Sequence, residues 1–269
     1  MLESARLVVV VPAFNEERLV ERTLGSMPGF VDEIIVVDDA SRDKTAEVAR
    51  SCGDPRVHVA THDRNRGVGA AIATGYRLAL RGGADAVAVM AGDAQMHPDD
   101  LAALALPVVR GEVDYAKGNR LDHADAHRMP TLRRVAGRAL SRLTGWAAGI
   151  ELSDSQCGYT VISARALGRI DLDTLYPSYG YPNDLLGKLV LAGCSTRDIP
   201  VRPVYAGETS GIRPWHLAVI VGLVSRTAFR RVASRGKTDG SAAGAGDDFF
   251  RVAKGVLEVE GVGDVAGRK

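Results

Sequence analysis

Met90 to Pro98 reads MAGDAQMHP and directly follows the apolar run Ala84–Val89. That run, apolar apart from Asp85 and bounded by Gly82, Gly83 and Gly92, predicts a strand buried on both faces of a parallel sheet. A carboxylate, Asp93, and an amide, Gln95, then lie just past its carboxyl end, where ligand crevices form in open α/β sheets. Oxygen donors of this kind suit Mg2+ or Mn2+. The competing reading is a turn whose Asp caps the helix beginning near Pro98. Asp38 and Asp39 end a second such run, EIIVV at Glu33–Val37, so acids gather repeatedly at strand ends.

The elements that must carry these residues alternate. Leu7–Val11 (LVVVV) predicts a strand ended by Pro12, because proline cannot donate in a central ladder. Asn15 is a candidate N-cap for a helix running toward Met27, with Glu16 and Glu17 in the first turn, where the dipole favours acids. A helix from about Lys44 to Ser51, a strand at Val57–Ala60, a loop and helix within Arg64–Leu80, and a helix at Asp99–Arg110 complete the series. Strict βαβαβα order predicts parallel strands joined by right-handed crossovers. Gly67-Val68-Gly69 is a poor dinucleotide fingerprint, since Ile72 occupies the third glycine position, and no Gly-Lys-Ser or Gly-Lys-Thr marks a P-loop.

Bulk properties narrow the field. The 269 residues are 46% hydrophobic and 25% charged, enough for one substantial α/β core with appendages. A formal net charge of +1 and 5% aromatic content argue against nucleic acid as a partner. Cys52, Cys157 and Cys194 are odd in number and lack CxxC spacing, which favours a reducing cytosol over a disulfide framework or structural zinc. No apolar run reaches the length of a membrane span, so membrane contact is expected only from the surface.

Four stretches together carry a resemblance. VVVPAFNEE, VVDDASRDKTAEVA, RNRGVGAAIATGY and MAGDAQMHPDDL, in this order between Leu7 and Leu101, resemble the family-2 glycosyltransferases, and more narrowly the polyprenyl-phosphate sugar transferases related to dolichyl-phosphate mannose synthase. YAKGNR at Tyr115–Arg120, DSQCGYTVISARAL at Asp154–Leu167 and IPVRPVYAGETSGIRP at Ile199–Pro214 extend it. The resemblance implies a GT-A fold, a Rossmann-like, mostly parallel sheet flanked by helices, that binds a nucleoside diphosphate sugar and a divalent metal. Pro12, Ala13, Glu16, Asp39, Arg66, Gly67, Ala91, Gly92 and Asp93 would line the nucleotide-sugar cleft, with Asp39 accepting hydrogen bonds from base or ribose. The glycines at 67 and 69 could equally serve close helix packing.

Asp93 and Gln95 match the later part of the family's Asp-x-Asp-x-Gln metal motif, but Ala91 stands where the first acid is common and His97 where many relatives have Asp. A metal bridging two phosphates neutralises the leaving nucleotide. The reading favoured is a working site of Asp93, Gln95 and diphosphate oxygens; the alternatives are a metal-independent site leaning on arginines and a degenerate binder. Arg120 is the resemblance's candidate phosphate ligand and a catalytic candidate with Asp93 and Asp184. Asp154 and Gln156 fall in a stretch that resembles the family's acceptor-side loop. Asp184 is the acid surviving where relatives carry an acidic pair, and Asn183 is a candidate helix cap beside it. His123, Asp125 and His127 read as a polar loop rather than a metal site.

Acceptor chemistry separates the hypotheses. A sugar hydroxyl needs a carboxylate to take its proton, whereas a phosphate monoester, with a second pKa near 6, is already largely ionised. A phosphate acceptor needs cations, and Arg120, Arg202 and Arg213 are the candidates. Pro214–Val232 mixes Trp215, Leu217, Ile220, Leu223 and Phe229 with Arg226, Arg230 and Arg231, a pattern shared by interfacial and docked helices. Residues 236–248 read as a flexible linker and 249–269 as a weakly ordered tail. The expectation is therefore one GT-A domain over residues 1–235, at the cytoplasmic membrane face and open to homo-oligomerisation. It would transfer a sugar with inversion from a UDP- or GDP-linked donor to a polyprenyl phosphate. The alternatives are a soluble or natural-product hydroxyl acceptor, with Asp184 or Asp154 as base, and a non-catalytic nucleotide-sugar binder.

Overall fold

The computed structural model describes residues 1–204 and 214–236; Arg213 and the linker and tail beyond Gly236 lie outside the described residues. The order of elements is β1 (Leu7–Ala13), α1 (Val20–Gly25), β2 (Glu33–Asp38), α2 (Thr45–Ser51), β3 (Val57–Thr61), α3 (Val68–Arg81), β4 (Ala86–Val89), α4 (Leu101–Val109), β5 (Tyr115–Asn119), α5 (Thr131–Ala148), β6 (Thr160–Ser163), α6 (Ala164–Leu167), α7 (Tyr181–Leu191), β7 (Thr196–Pro200) and α8 (Pro214–Gly236). The strands form one sheet ordered β3-β2-β1-β4-β6-β5-β7.

β1 is central because every residue from Leu7 to Val11 is fully buried. Alternate side chains serve two layers. Leu7, Val9 and Val11 pack with Leu24, Val31, Leu101 and Leu104. Val8 and Val10 pack with Ile72, Tyr76, Leu185 and Leu189 on the other face. The first four strands are parallel, with Val9 opposite Ile34 and Ala88. β6 then runs antiparallel between β4 and β5, and β5 pairs in parallel with β7. β7 is a half-exposed edge strand ending in Pro200, a position that tolerates proline.

Two local expectations are corrected. Asn15 does not cap a helix: its φ is +57°, and α1 begins at Val20 after an uncapped Leu19. The segment instead bonds the turn after β2. Asn15 N–H donates to Ser41 Oγ (2.9 Å), Arg42 N–H donates to Asn15 Oδ1 (2.8 Å), and Glu16 N–H donates to Thr45 Oγ1 (2.7 Å). Asn183 likewise caps nothing, because Gly180 precedes α7 without a side-chain cap; Asn183 Oδ1 accepts from Thr144 of α5 at 3.2 Å.

α8 is a docked helix, burying Ile220, Leu223, Val224 and Thr227. Its Thr227 fills the space a Cβ on Gly187 would need. Val221, Phe229 and Val232 remain exposed on its outer side. Among the described residues no helix is long and apolar enough to cross a membrane.

α3 lies tight on the sheet, since a Cβ on Gly75 would sit 2.3 Å from Val10 Cγ1. Gly75→Ala is therefore expected to lower stability by about 1–3 kcal/mol, the usual cost of overpacking, read as a lower urea midpoint with an unchanged m-value.

Candidate active site

The carboxyl ends of β1, β2 and β4 meet at one place. Asp39 N–H donates to Ala13 O (2.9 Å) and Gly92 N–H donates to Pro12 O (3.1 Å), so the turns after β2 and β4 are tied to the end of β1. Around this junction opens a cavity of about 350 Å³, within the size range of small-molecule sites. Every residue assigned to the nucleotide sugar except Arg66 lines it, together with Phe14, Asn65 and Tyr179.

Asp39 is nearly fully buried. Its Oδ1 accepts from Arg66 N–H (2.9 Å) and pairs with His62 Nδ1 (2.7 Å), and its Oδ2 accepts from Gly67 N–H (2.7 Å). The carboxylate thus holds the loop before α3 against the cavity, and Arg66 contributes its backbone there. Arg66 itself lines a neighbouring cavity instead. Gly67 has φ +92°, and Cβ atoms on Gly67 and Gly69 would come within 2.4 and 2.1 Å of the carbonyl oxygens of Pro177 and Tyr176. Pro177 O accepts from Gly69 N–H (2.8 Å) and Ala70 N–H (3.2 Å). These glycines therefore serve close packing of the 176–178 segment onto the start of α3.

Asp93 lines the 350 Å³ cavity and also a small adjoining cleft of about 50 Å³. Its Oδ1 accepts from Gln95 N–H at 3.1 Å across Ala94, whose φ is +55°. It is not a helix cap. The turn at Pro98–Asp100 is capped by His97, whose ring nitrogen accepts from Asp99 N–H. Gln95, Arg120 and Arg202 line the same cleft as Asp93, so the structure brings the metal and phosphate candidates together. The group contains one carboxylate, and among the described residues no cluster of three His, Cys, Asp or Glu side chains could hold a metal by itself.

Both arginines are anchored by acids. Arg120 donates through Nε to Asp154 Oδ2 (2.8 Å) and through Nη2 to Asp154 Oδ1 (3.1 Å). The buried Lys117 ammonium donates to the Asp154 carbonyl. Burial alone would raise the pKa of Asp154, but the charge and hydrogen bonds of Arg120, with the charge of Lys117, outweigh it and hold the carboxyl at about 2. So weak a base cannot take a proton from a sugar hydroxyl at neutral pH. Asp154 positions Arg120, and Gln156 donates its N–H to Asp154 Oδ1 (3.2 Å) without lining the cleft. Arg202 donates through N–H and Nε to Asp100 (2.8 and 3.2 Å), with its Nη1 3.2 Å from His97 Nε2. The position His97 occupies therefore braces an arginine beside Asp93.

Asp184 is separated from this group. It lines the same neighbouring cavity as Arg66, accepts from Tyr176 N–H (2.9 Å) and lies 3.6 Å from Lys188 Nζ. Tyr176 and Pro177 line that cavity with it, while Ser178 and Tyr179 line the one that Asp93 lines. His62, which links Asp39 to Thr74 Oγ1 (3.0 Å), is absent from the sequence reading. In the sequence its signal is position, since His62 directly follows the third strand as Asp39 directly follows the second.

Comparison with known proteins agrees with this architecture. Residues 8–155 match the family described as glycosyl transferase family 2. An uncharacterised protein of Methanocaldococcus jannaschii is 33% identical over 74% of this chain and 82% of its own. An undecaprenyl-phosphate mannosyltransferase of Micrococcus luteus is 31% identical over 73% and 82%. Glucosyl-3-phosphoglycerate synthase from Mycobacterium tuberculosis, in complex with Mn2+, UDP and phosphoglyceric acid, shares the fold at a TM-score of 0.61 and 20% identity, over 84% of this chain and 79% of that one. The sheet, its flanking helices and the crevice at the strand ends are those of a GT-A glycosyltransferase. Within that class the chain belongs to glycosyl transferase family 2.

The Asp154 anchor makes a pH-dependent prediction. Its folded pKa lies below the ordinary 3.8, so its contribution to stability is complete above that value and is lost as pH falls toward 2, about 2 kcal/mol in all. Asp154→Asn is expected to cost about 3–5 kcal/mol at neutral pH, because Arg120 is left without its buried counter-charge. Urea unfolding should show the gap between variant and wild type narrowing as pH is lowered from 5 to 2; a constant gap would refute the assignment.

Proposed function

We propose that this chain transfers a sugar, with inversion, from a nucleoside diphosphate sugar to a polyprenyl phosphate at a membrane surface. The observation that carries the reading is the cleft shared by Asp93, Gln95, Arg120 and Arg202 beside the larger cavity. A diphosphate in the larger cavity would reach Asp93, and an acceptor phosphate would meet the two anchored guanidiniums. Mg2+ or Mn2+ fits this donor set, because such ions take one or two carboxylates and complete their shell with phosphate oxygens and water. Asp93 and Gln95 would hold the ion, which would supply charge neutralisation on the departing nucleotide.

The chain's own residues account for the rest. Arg120 and Arg202, held by Asp154 and by Asp99 and Asp100, offset repulsion between two anionic groups. Neither Asp154, held at a pKa of about 2, nor Asp184, which lines the neighbouring cavity, is placed to act as the base a hydroxyl acceptor requires. An ionised phosphate needs none. Inversion agrees with in-line attack by that phosphate.

α5 supports the lipid acceptor. Leu132, Val135, Leu143 and Trp146 fall on one stripe at helical spacing, and Leu132 and Trp146 are 82% and 74% exposed. The helix carries Arg133, Arg134, Arg138 and Arg142 and no acid. An apolar stripe with a basic flank and an interfacial Trp suits an anionic lipid surface. Relatives named for undecaprenyl-phosphate and dolichyl-phosphate acceptors point the same way. The helix at 214–232, open in sequence to an interfacial or a docked role, buries Ile220, Leu223 and Val224 against the rest of the fold.

Calorimetric titration with UDP and GDP, with and without Mn2+, should show metal-dependent binding of one nucleotide that Asp93→Ala abolishes. The matching nucleotide sugar should then glycosylate a polyprenyl phosphate and not the corresponding polyprenol. Turnover on a hydroxyl acceptor that collapses in Asp184→Asn would replace this reading. Replacing Leu132 and Trp146 by Ser should weaken binding to phosphatidylglycerol vesicles about tenfold or more, the loss of two buried apolar side chains, while nucleotide affinity stays unchanged.

A further inference from the structure

Lys117 is nearly fully buried in the middle of β5, where lysine is rarely found without a charge to answer it. Its partners in register are Thr160 of β6 and Asp198 of β7, so these side chains project from one face of the sheet. Over that face passes the loop from α5 to β6. The loop is held at four consecutive residues. Ser153 N–H donates to Asp198 Oδ2 (2.7 Å), and the Asp154 carbonyl accepts from Lys117 Nζ. Ser155 N–H donates to Ser141 Oγ of α5 (2.8 Å), and Gln156 N–H donates to Asp154 Oδ1 (3.2 Å).

β5 and the residue just past it grip Asp154 at both ends. Lys117 takes its carbonyl, and Arg120 takes its carboxylate through Nε, Nη2 and the backbone N–H. The charges follow the same order. Lys117 helps to hold the Asp154 carboxyl ionised. Burial raises the pKa of Asp198, and the Ser153 hydrogen bond and the charge of Lys117 pull against it. A neutral donor could satisfy one carbonyl. An ammonium serves that carbonyl and two carboxylates together, which offsets the cost of burying it.

We propose that Lys117 is a positioning residue for the transfer: buried beside Asp154 and Asp198, its ammonium fixes the 153–156 loop and, through Asp154, the Arg120 guanidinium at the cleft. The proposal rests on the reading of Arg120 as a ligand of the acceptor phosphate. Arg120 lines the cleft and not the 350 Å³ cavity, so the effect should fall on the acceptor and spare the donor nucleotide.

Three variants of the full chain test this. Lys117→Met keeps the side chain's length and removes its charge and donors. Lys117→Gln keeps a donor for the Asp154 carbonyl. Lys117→Met combined with Asp198→Asn also removes the opposite charge, while leaving an amide oxygen for Ser153 N–H. With the nucleotide sugar that wild type turns over, Lys117→Met should raise KM for undecaprenyl phosphate about tenfold, the usual worth of a charge-assisted hydrogen bond. Nucleotide affinity in Mn2+ should change less than about twofold, because the donor cavity is untouched. Lys117→Gln should recover part of the loss and the double variant none of it; should Lys117→Met not fold, Lys117→Gln is read by the same criteria. A wild-type KM in the double variant would mean that Lys117 only neutralises Asp198, and would overturn the proposal. So would an unchanged KM in Lys117→Met, an equal loss of nucleotide affinity, or failure of both single variants to fold. If wild type transfers no sugar to this acceptor, the proposed function fails, and Lys117 is judged by nitrogen NMR of Arg120. Its Nε–H should exchange with solvent about tenfold faster in the folded single variant than in wild type, and equal exchange sinks the positioning role.

Discussion

Two backbone hydrogen bonds, Asp39 N–H to Ala13 O and Gly92 N–H to Pro12 O, fix the place where everything else converges. They extend the parallel pairing of β1 with β2 and β4 one step past the regular strands, so the turn residues that follow start from shared coordinates. Gly92 allows this approach, since a Cβ there would meet Ala13 Cβ at 3.3 Å. The buried apolar strands position the junction, and the junction positions Asp39 and Asp93. Because these carboxylates sit on rigid strand ends, the mobile part of any ligand complex must come from other segments.

A second layer of organisation is electrostatic. Each cation near the cleft is held by an acid lying further from the cavity: Arg120 by Asp154, Arg202 by Asp99 and Asp100. Asp39 works in the opposite sense, as an acid held by two backbone N–H groups and His62. Anchored groups of this kind lose little conformational freedom on meeting a ligand. The cost falls on the fold, which must bury Asp154 and Lys117 in mutual contact.

Which residues line the 350 Å³ cavity at the strand ends was mostly legible in the sequence, because they follow apolar runs whose ends can be read to within a residue or two. Pro12, Asp39, Gly92 and Asp93 needed only a strand and its direction. Arg66 and Asp184 were harder. Which cavity they line depends on the 176–178 segment, distant in sequence from Arg66, and no local pattern announces that the segment lies on α3. The antiparallel course of β6 was equally hidden, since four apolar residues carry no direction. β7 escaped notice because an edge strand with Arg197 and Asp198 lacks the buried pattern that marks a strand. For Asn15, helix-cap chemistry was the right instinct applied to the wrong partner: its amide bonds the neighbouring turn.

Ala91 leaves Asp93 as the one acid lining the cleft among the described residues, and under the proposed reaction this has a kinetic consequence. Two carboxylates side by side would attract a divalent ion into the empty protein, whereas one carboxylate and an amide hold it only feebly. Most of the ion's ligands would then belong to the nucleotide, so ion and nucleotide would arrive as a single species. The order of addition would be set by solution chemistry before the protein is met, and an excess of free nucleotide would compete with the loaded form for the same cavity.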